Sequence, residues 1–335
     1  MTIKDRKREH LEIALKQDVS FRRKTTWLEK VMLEYSALPE IDLDDVNLET
    51  EFLGKKLKAP LMVSGMVGGI EEAKQINKDI AKACESLGIA FGVGSQRAML
   101  ENPNLKHTYY VRDVAPTILV AGNIGATQLK NYSVEQIESA LEAIGADALA
   151  VHINAAQEAI QPDGTPNFRS CLKSIDEISK RLKKPVYVKE VGHGISFEVA
   201  QKLAKTRIKA IDVQGAGGTS WTAIEYLRSK NYFGEPFWDF GIPTATSIVE
   251  CRKAFKGPII GSGGVRSGVD AVKCFVLGAN IAGIALPVLK AQNQGGYKGV
   301  ENYLKKIIDE IRVALFLMGA KSPSEALGKG RLQLQ

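Results

Sequence analysis

A chain of 335 residues, 44% hydrophobic and 25% charged, has room for one large α/β domain and the balance of a packed globular protein, which excludes the disordered and fibrous classes. The net charge of +7 favours an anionic ligand, but 38 acidic residues are interleaved with the 45 basic ones, which cluster mainly at 4–8 and 22–24, so a small polyanion is expected rather than nucleic acid. Cys84, Cys171, Cys251 and Cys274 have neither metal-ligand nor disulfide spacing, and no apolar run nears the roughly 18 residues that span a membrane, so a cytoplasmic protein with buried thiols and no membrane partner is expected.

In chain order, MTIKDRKREHLEIALK predicts a basic amphipathic helix, with Arg6 and His10 at i,i+4 and Lys7 and His10 at i,i+3 on neighbouring parts of one face. Short apolar runs then recur at 60–66, 89–95, 117–123, 148–154, 185–191, 210–215, 258–264 and 280–286. Helical patterns at 71–87, 133–144, 168–182 and 196–206 separate them, and a last helix is expected near 300–318. Eight such units predict a closed parallel TIM (β/α)8 barrel. Residues 1–56 form an N-terminal helical extension and substrate lid, and 57–335 the barrel with its C-terminal helix. No G-x-G-x-x-G opens a helix after the first run, so an open dinucleotide-binding sheet lacks its signature.

Barrel enzymes place their chemistry at the C-terminal ends of strands. GVGSQR (92–97) brings Ser95, Gln96 and Arg97 to one such end, and AGN (121–123) brings Asn123 to the next. An arginine there can grip a phosphate with two N–H groups. Alternation in ALAVHIN turns Ala150, His152 and Asn154 inward, with Gln157 and Glu158 within the following turn, a cluster suited to metal or proton chemistry. PVYVKEV turns Tyr187 and Lys189 inward, and an inward lysine needs an anion such as a phosphate, an enolate or a reduced flavin edge. VQGAGGTSW (213–221) and GPIIGSGGVRSG (257–268) are glycine-rich loops whose N–H groups can converge on phosphate. The second loop and NIAGIALP (280–287) follow the seventh and eighth runs, where barrels form their usual phosphate site.

Taken together, RKREHL (6–11), GSQR (94–97), HINAAQE (152–158), VKEVGHGIS (188–196), GAGGTSW (215–221), DFGIPT (239–244) and SGGVRSG (262–268) resemble the type 2, FMN-dependent isopentenyl-diphosphate isomerases from residue 5 to about 287. The resemblance implies conversion of isopentenyl diphosphate to dimethylallyl diphosphate on a TIM barrel, within isoprenoid biosynthesis. Reduced FMN would act as acid–base catalyst, with magnesium on the diphosphate and NAD(P)H as reductant. It implies FMN contacts from Ser64, Gly65, Met66, Ser95, Asn123, Lys189 and Thr219, with the phosphate at Gly261, Gly263, Gly264, Arg266, Ala285 and Leu286. Substrate would meet Arg6, Lys7, His10, Ser95, Gln96, Arg97, Asn154 and Gln157. Gln157 would relay or orient a proton, Lys189 would stabilise the anionic flavin, and Glu158 would hold magnesium. One departure stands out: Met66-Val67-Gly68-Gly69 replaces the family's usual Met-Thr-Gly-Gly, and a threonine hydroxyl is lost as a flavin contact. A homo-oligomer is expected. The alternative is an FMN barrel oxidoreductase of the 2-hydroxy-acid oxidase or dihydroorotate dehydrogenase type. A hydroxy-acid oxidase should carry a histidine base and an arginine close together after a late strand, and GAGGTSW has neither.

Overall fold

The alternation of apolar runs and helices closes into a ring. The computed structural model describes residues 3–229 and 233–333. Three short strands come first, β1 (Val31–Leu33), β2 (Thr50–Phe52) and β3 (Lys55–Leu57). The barrel follows with β4 (Leu61–Val63), β5 (Ala90–Gly92), β6 (Val120–Gly125), β7 (Ala148–His152), β8 (Val186–Lys189), β9 (Ala210–Asp212), β10 (Ile259–Ser262) and β11 (Ile281–Ile284). These eight are parallel and closed, with Gly283 of β11 opposite Met62 of β4. Each lies on one of the expected runs, only β6 extending past its run, to Gly125. The TIM-barrel expectation holds.

Inward positions carry mostly small or aliphatic residues, among them Met62, Ala90, Ala121, Ala148, Ala150, Ile260 and Ile281, packed around Tyr187. Phe52 and Leu57 of the β2–β3 hairpin join this cluster. Lys55 of the same hairpin reaches the Thr117 carbonyl and Asp147, just before β6 and β7, so the hairpin plugs the end away from the strand C-termini. Outward residues such as Leu149, Val151 and Val188 pack under the surrounding helices. The helices Glu71–Leu87, Val134–Ala143, Cys171–Arg181 and Phe197–Leu203 fill the four expected segments. Ser133 and Gln136 satisfy each other's backbone N–H groups at the start of the second, which fixes where it begins.

The C-terminal helix differs from expectation. It begins at Leu286, immediately after β11, and runs to Leu317 with a non-helical break at Gly295 and Gly296, so the expected helix near 300–318 is only its second limb. β12 (Gly330–Leu332) then pairs antiparallel with β1, returning the chain to the N-terminal extension. The N-terminal helix Ile3–Lys16 packs on the helix Trp221–Ser229. Among the described residues, no helix is long and apolar enough to cross a membrane. All four cysteines are free and buried, and burial pushes their thiols up, away from nucleophilic use.

Candidate active site

The C-terminal ends of the barrel strands open into a single cavity roofed by the N-terminal helix. Ser64, Gly65, Met66, Ser95, Asn123, Lys189, Thr219, Gly263, Gly264, Arg266, Ala285 and Leu286 all line it. Gly263 and Gly264 have φ of 99° and 75°, where side chains are strained. A Cβ at Gly263 would lie 2.1 Å from the Gly215 carbonyl oxygen, and one at Gly218 would lie 2.4 Å from the Gly264 nitrogen. The two glycine loops therefore meet backbone to backbone at the cavity wall, a cradle that any side chain would close. Lys189 is buried and gives one hydrogen to the Glu190 carbonyl at 2.7 Å. Burial lowers its ammonium, and Asp212 and Glu190 oppose that shift. A buried cation beside a backbone cradle fits a phosphorylated ligand with an anionic ring edge, and FMN has both features.

Next to this bed stands a chain of amides and carboxylates. Asn154 Nδ2 donates to Gln157 Oε1 at 3.0 Å and to Glu158 Oε1 at 3.1 Å. The backbone N–H of Thr165 reaches Glu158 Oε2 at 2.5 Å. Gln157 Nε2 donates to Glu225 Oε1 at 3.1 Å, and His10 Nε2 lies 2.9 Å from the same oxygen. Arg228 Nε donates to Glu225 Oε2 at 2.8 Å. Burial alone would raise the Glu225 carboxyl, but His10, Arg228 and Gln157 together hold it below the ordinary carboxylate range. His152 lies beside Asn123, with Nδ1 2.9 Å from Asn123 Oδ1. Because Asn123 Nδ2 is given to the Val93 carbonyl, its oxygen faces the imidazole, and the network assigns the proton to Nδ1. Burial, then the charges of Lys189 and Lys7, bring His152 down to about 3, so it works as a neutral ring.

The basic face of the N-terminal helix is docked. Arg6 Nη1 meets Asp163 Oδ2 at 2.8 Å. Lys7 Nζ donates to the carbonyls of Gly68 at 2.6 Å and Ser95 at 3.0 Å, and to the Tyr109 hydroxyl at 3.0 Å. Burial, then the charges of Arg6 and Arg97, bring the Lys7 ammonium down to about 7. With three donors on three protein acceptors, Lys7 acts as an anchor of the roof. Arg97 lines the cavity and holds Glu101 at 2.9 Å.

This chain is similar to proteins of known name. The FMN-dependent dehydrogenase family model matches residues 2–103 and 126–332. The isopentenyl-diphosphate delta-isomerase of Pyrococcus furiosus is 44% identical over 332 residues, covering 96% of this chain and 84% of that protein. The isopentenyl-diphosphate delta-isomerase of Sulfurisphaera tokodaii is 46% identical over 335 residues, covering 97% and 90%. The chain belongs to the FMN-dependent, type 2 isopentenyl-diphosphate delta-isomerases. Among solved structures, a flavocytochrome b2 variant with sulfite bound is 20% identical with a TM-score of 0.71, covering 95% of this chain and 81% of that one. A lactate oxidase of Pediococcus acidilactici is 17% identical with a TM-score of 0.69, covering 96% and 91%. At these identities the likeness is one of fold.

In this member of the isomerase family, two expected site residues lie outside the cavity. Gln96 is fully buried, donates to the Ala140 carbonyl at 3.0 Å and accepts the Asn123 N–H at 3.0 Å, so it struts the wall where a substrate contact was expected. Gly261 faces outward, because alternation along β10 turns Ile260 and Ser262 inward. A Cβ there would meet Cys274 Cβ at 2.6 Å, away from any cofactor phosphate. Val67, where the isomerases commonly carry threonine, lines the cavity and offers it no side-chain donor. Glu225, Arg228, Asp163 and Tyr109 are absent from the sequence expectations. Glu225 and Arg228 are spaced i,i+3 like a solvated surface pair, and no local signal marks them as buried.

Proposed function

We propose that this chain converts isopentenyl diphosphate to dimethylallyl diphosphate, using reduced FMN, with Mg2+ on the substrate diphosphate and NAD(P)H supplying the reducing equivalents. The observation that carries the reading is the seat of Gln157. Its amide is hung between Asn154 and a buried carboxylate, in the same cavity as Lys189 and the glycine cradle. Family membership supplies the substrate.

A 1,3-allylic shift adds a proton to one carbon and removes one from another, through cationic character that carboxylic acids in water generate slowly. When bound, reduced FMN supplies a proton-exchanging nitrogen and an electron-rich ring. Lys189 would stabilise the negative edge of that ring from a fixed, desolvated position. Gln157 does not titrate, so its part is to orient or relay a proton. Asn154 holds its oxygen and Glu225 one of its hydrogens, which fixes the amide plane. Glu225, kept ionised, steadies His10 of the roof as well.

Among the described residues no group of three or more histidine, cysteine, aspartate or glutamate side chains converges on a metal position. The Glu158 carboxylate, pre-oriented by Asn154 and Thr165, fits Mg2+ held by one protein carboxylate with phosphate and water oxygens completing the shell. Arg97, with Arg6 and His10 of the roof, would meet the diphosphate, and the roof would exclude water from the reacting carbons. The same reading makes the protein a cytoplasmic homo-oligomer acting on a small diphosphate, without nucleic-acid or membrane partners.

The test is an isomerase assay on the purified protein with isopentenyl diphosphate, Mg2+ and FMN, with and without NAD(P)H or another reductant. Turnover is expected only with the flavin reduced. Equal rates from flavin-free protein and reduced holoenzyme overturn the reading.

A further inference from the structure

Under the cofactor bed lies a carboxylate that the proposed reaction does not use. Asp212 ends β9, is 1% exposed, and stands in register beside Lys189 of β8. Register partners on neighbouring strands point to the same face, so both side chains lie on the inner side of the barrel, one layer above Tyr187 and Ala210.

The hydrogen-bond directions around Asp212 are determined. Ser262 Oγ accepts the Gln214 backbone N–H at 2.9 Å and gives its own hydrogen to Asp212 Oδ1. The Gln214 amide spends both N–H groups, one on Asp212 Oδ2 at 3.1 Å and one on Ser64 Oγ at 2.9 Å. Ser64 is thereby an acceptor within the wall, and its hydroxyl hydrogen is left for the cavity it lines. Gln214 itself adopts φ of 38°, a left-handed backbone rare for a glutamine, at the junction this network holds.

Burial pushes Asp212 toward its neutral form, and Lys189, Ser262 and Gln214 oppose it. Burial likewise lowers Lys189, and Asp212, ahead of Glu190, opposes it. The other groups around the pair are already engaged. Glu190 Oε2 accepts the N–H groups of Val191, Gly192 and His193. His152, opposite Lys189 on β7, is neutral, and Tyr187 is pushed far above its ordinary range.

We propose that Asp212 is a positioning residue for the cofactor site: it keeps Lys189 an ammonium and, through Gln214, sets the hydrogen that Ser64 presents to the ligand. The inference rests on the FMN reading above. It concerns how the wall is charged and wired, and FMN affinity tests it without recourse to turnover.

The experiment measures FMN dissociation constants by flavin fluorescence for wild type, Asp212→Asn, Lys189→Met, and Asp212→Asn combined with Lys189→Met. The mutant-to-wild-type ratio is the readout, which cancels titration of the FMN phosphate itself. In Asp212→Asn the ratio should climb as pH rises, because burial then lowers the Lys189 ammonium without the carboxylate that opposes it. In the double variant the ratio to Lys189→Met should be flat with pH. If Asp212→Asn does not fold, Ser262→Ala decides. It removes one donor from Asp212, so its ratio should climb as pH falls. A ratio independent of pH in the folded variant overturns the proposal. Wild-type protein that binds no FMN overturns the cofactor reading and the proposal with it, whereas FMN bound with a flat ratio overturns the proposal alone.

Discussion

The floor of the cavity is made of strand ends and backbone, whereas its roof is made of charged side chains that meet across long stretches of chain. Gly263, Gly264, Asn123 and Lys189 owe their places to barrel closure, which sets each strand end against its neighbours whatever the loops do. Arg6 reaches Asp163, Lys7 reaches Tyr109, and His10 reaches Glu225, contacts that exist only while the N-terminal helix is docked. The first side can be rigid without the second. The second depends on paired charges, whose loss exposes or strands a partner. The difference suits the proposed reaction, in which the cofactor would stay and the substrate would come and go.

Gln157 sits on the seam between the two sides, and changing it should have the largest effect. Gln157→Asn, one methylene shorter, is expected to cut turnover about 100-fold, the lower range for a positioned proton-transfer group, with FMN and substrate affinity nearly unchanged. Steady-state kinetics with FMN titration separates the two. A defect confined to affinity would place Gln157 with the binding groups.

Deleting residues 1–10 removes the roof cations and should leave the bed intact. The Michaelis constant for substrate should rise by roughly an order of magnitude and turnover should fall, while FMN stays bound and the melting of the barrel is little changed. Loss of FMN on truncation would show that the two sides are not separable.

The same division decides how much could be read from the sequence. All eight barrel strands were legible, because an apolar run followed by glycine and a helical period is a local signal. Lys189 and His152 were legible as inward residues from alternation alone. Gln96 and Gly261 were misplaced for a related reason. They lie within the right motifs but on the wrong face, Gly261 by one step along β10 and Gln96 at the turn into the helix Arg97–Glu101, where strand alternation ends. The break at Gly295 and Gly296 hid the first limb of the C-terminal helix, since two glycines in sequence read as a stop. Glu225 and Asp163 could not be found locally, because what makes them part of the site is a helix more than 150 residues away in the chain, as the Arg6–Asp163 separation of 157 shows.

Glu158 belongs to neither side, since its contacts to Asn154 and Thr165 are short in sequence and independent of the roof. Glu158→Gln loses the charge and keeps at most one of those two contacts, since its amide has a single acceptor oxygen. The Mg2+ concentration needed for half-maximal rate should rise about tenfold, with FMN affinity unchanged. An unaltered magnesium requirement would remove Glu158 from the metal site.

The smallest effect expected is on docking of the roof itself, through Lys7. Its ammonium is brought from the ordinary 10.5 to about 7 when docked. The undocked helix therefore carries more protons between those values, so docking strengthens as pH rises through about 7 and gains nothing further above 10.5. Backbone deuterium exchange over residues 3–16, corrected for the intrinsic pH dependence of exchange, should show severalfold greater protection at about pH 9 than at about pH 6 in the wild type. In Lys7→Met that difference should vanish, because the titrating group is gone. Protection that falls with rising pH in the wild type would mean that the three acceptors around Nζ hold the ammonium more strongly than burial disfavours it, and Lys7 would then anchor the roof as a permanent charge.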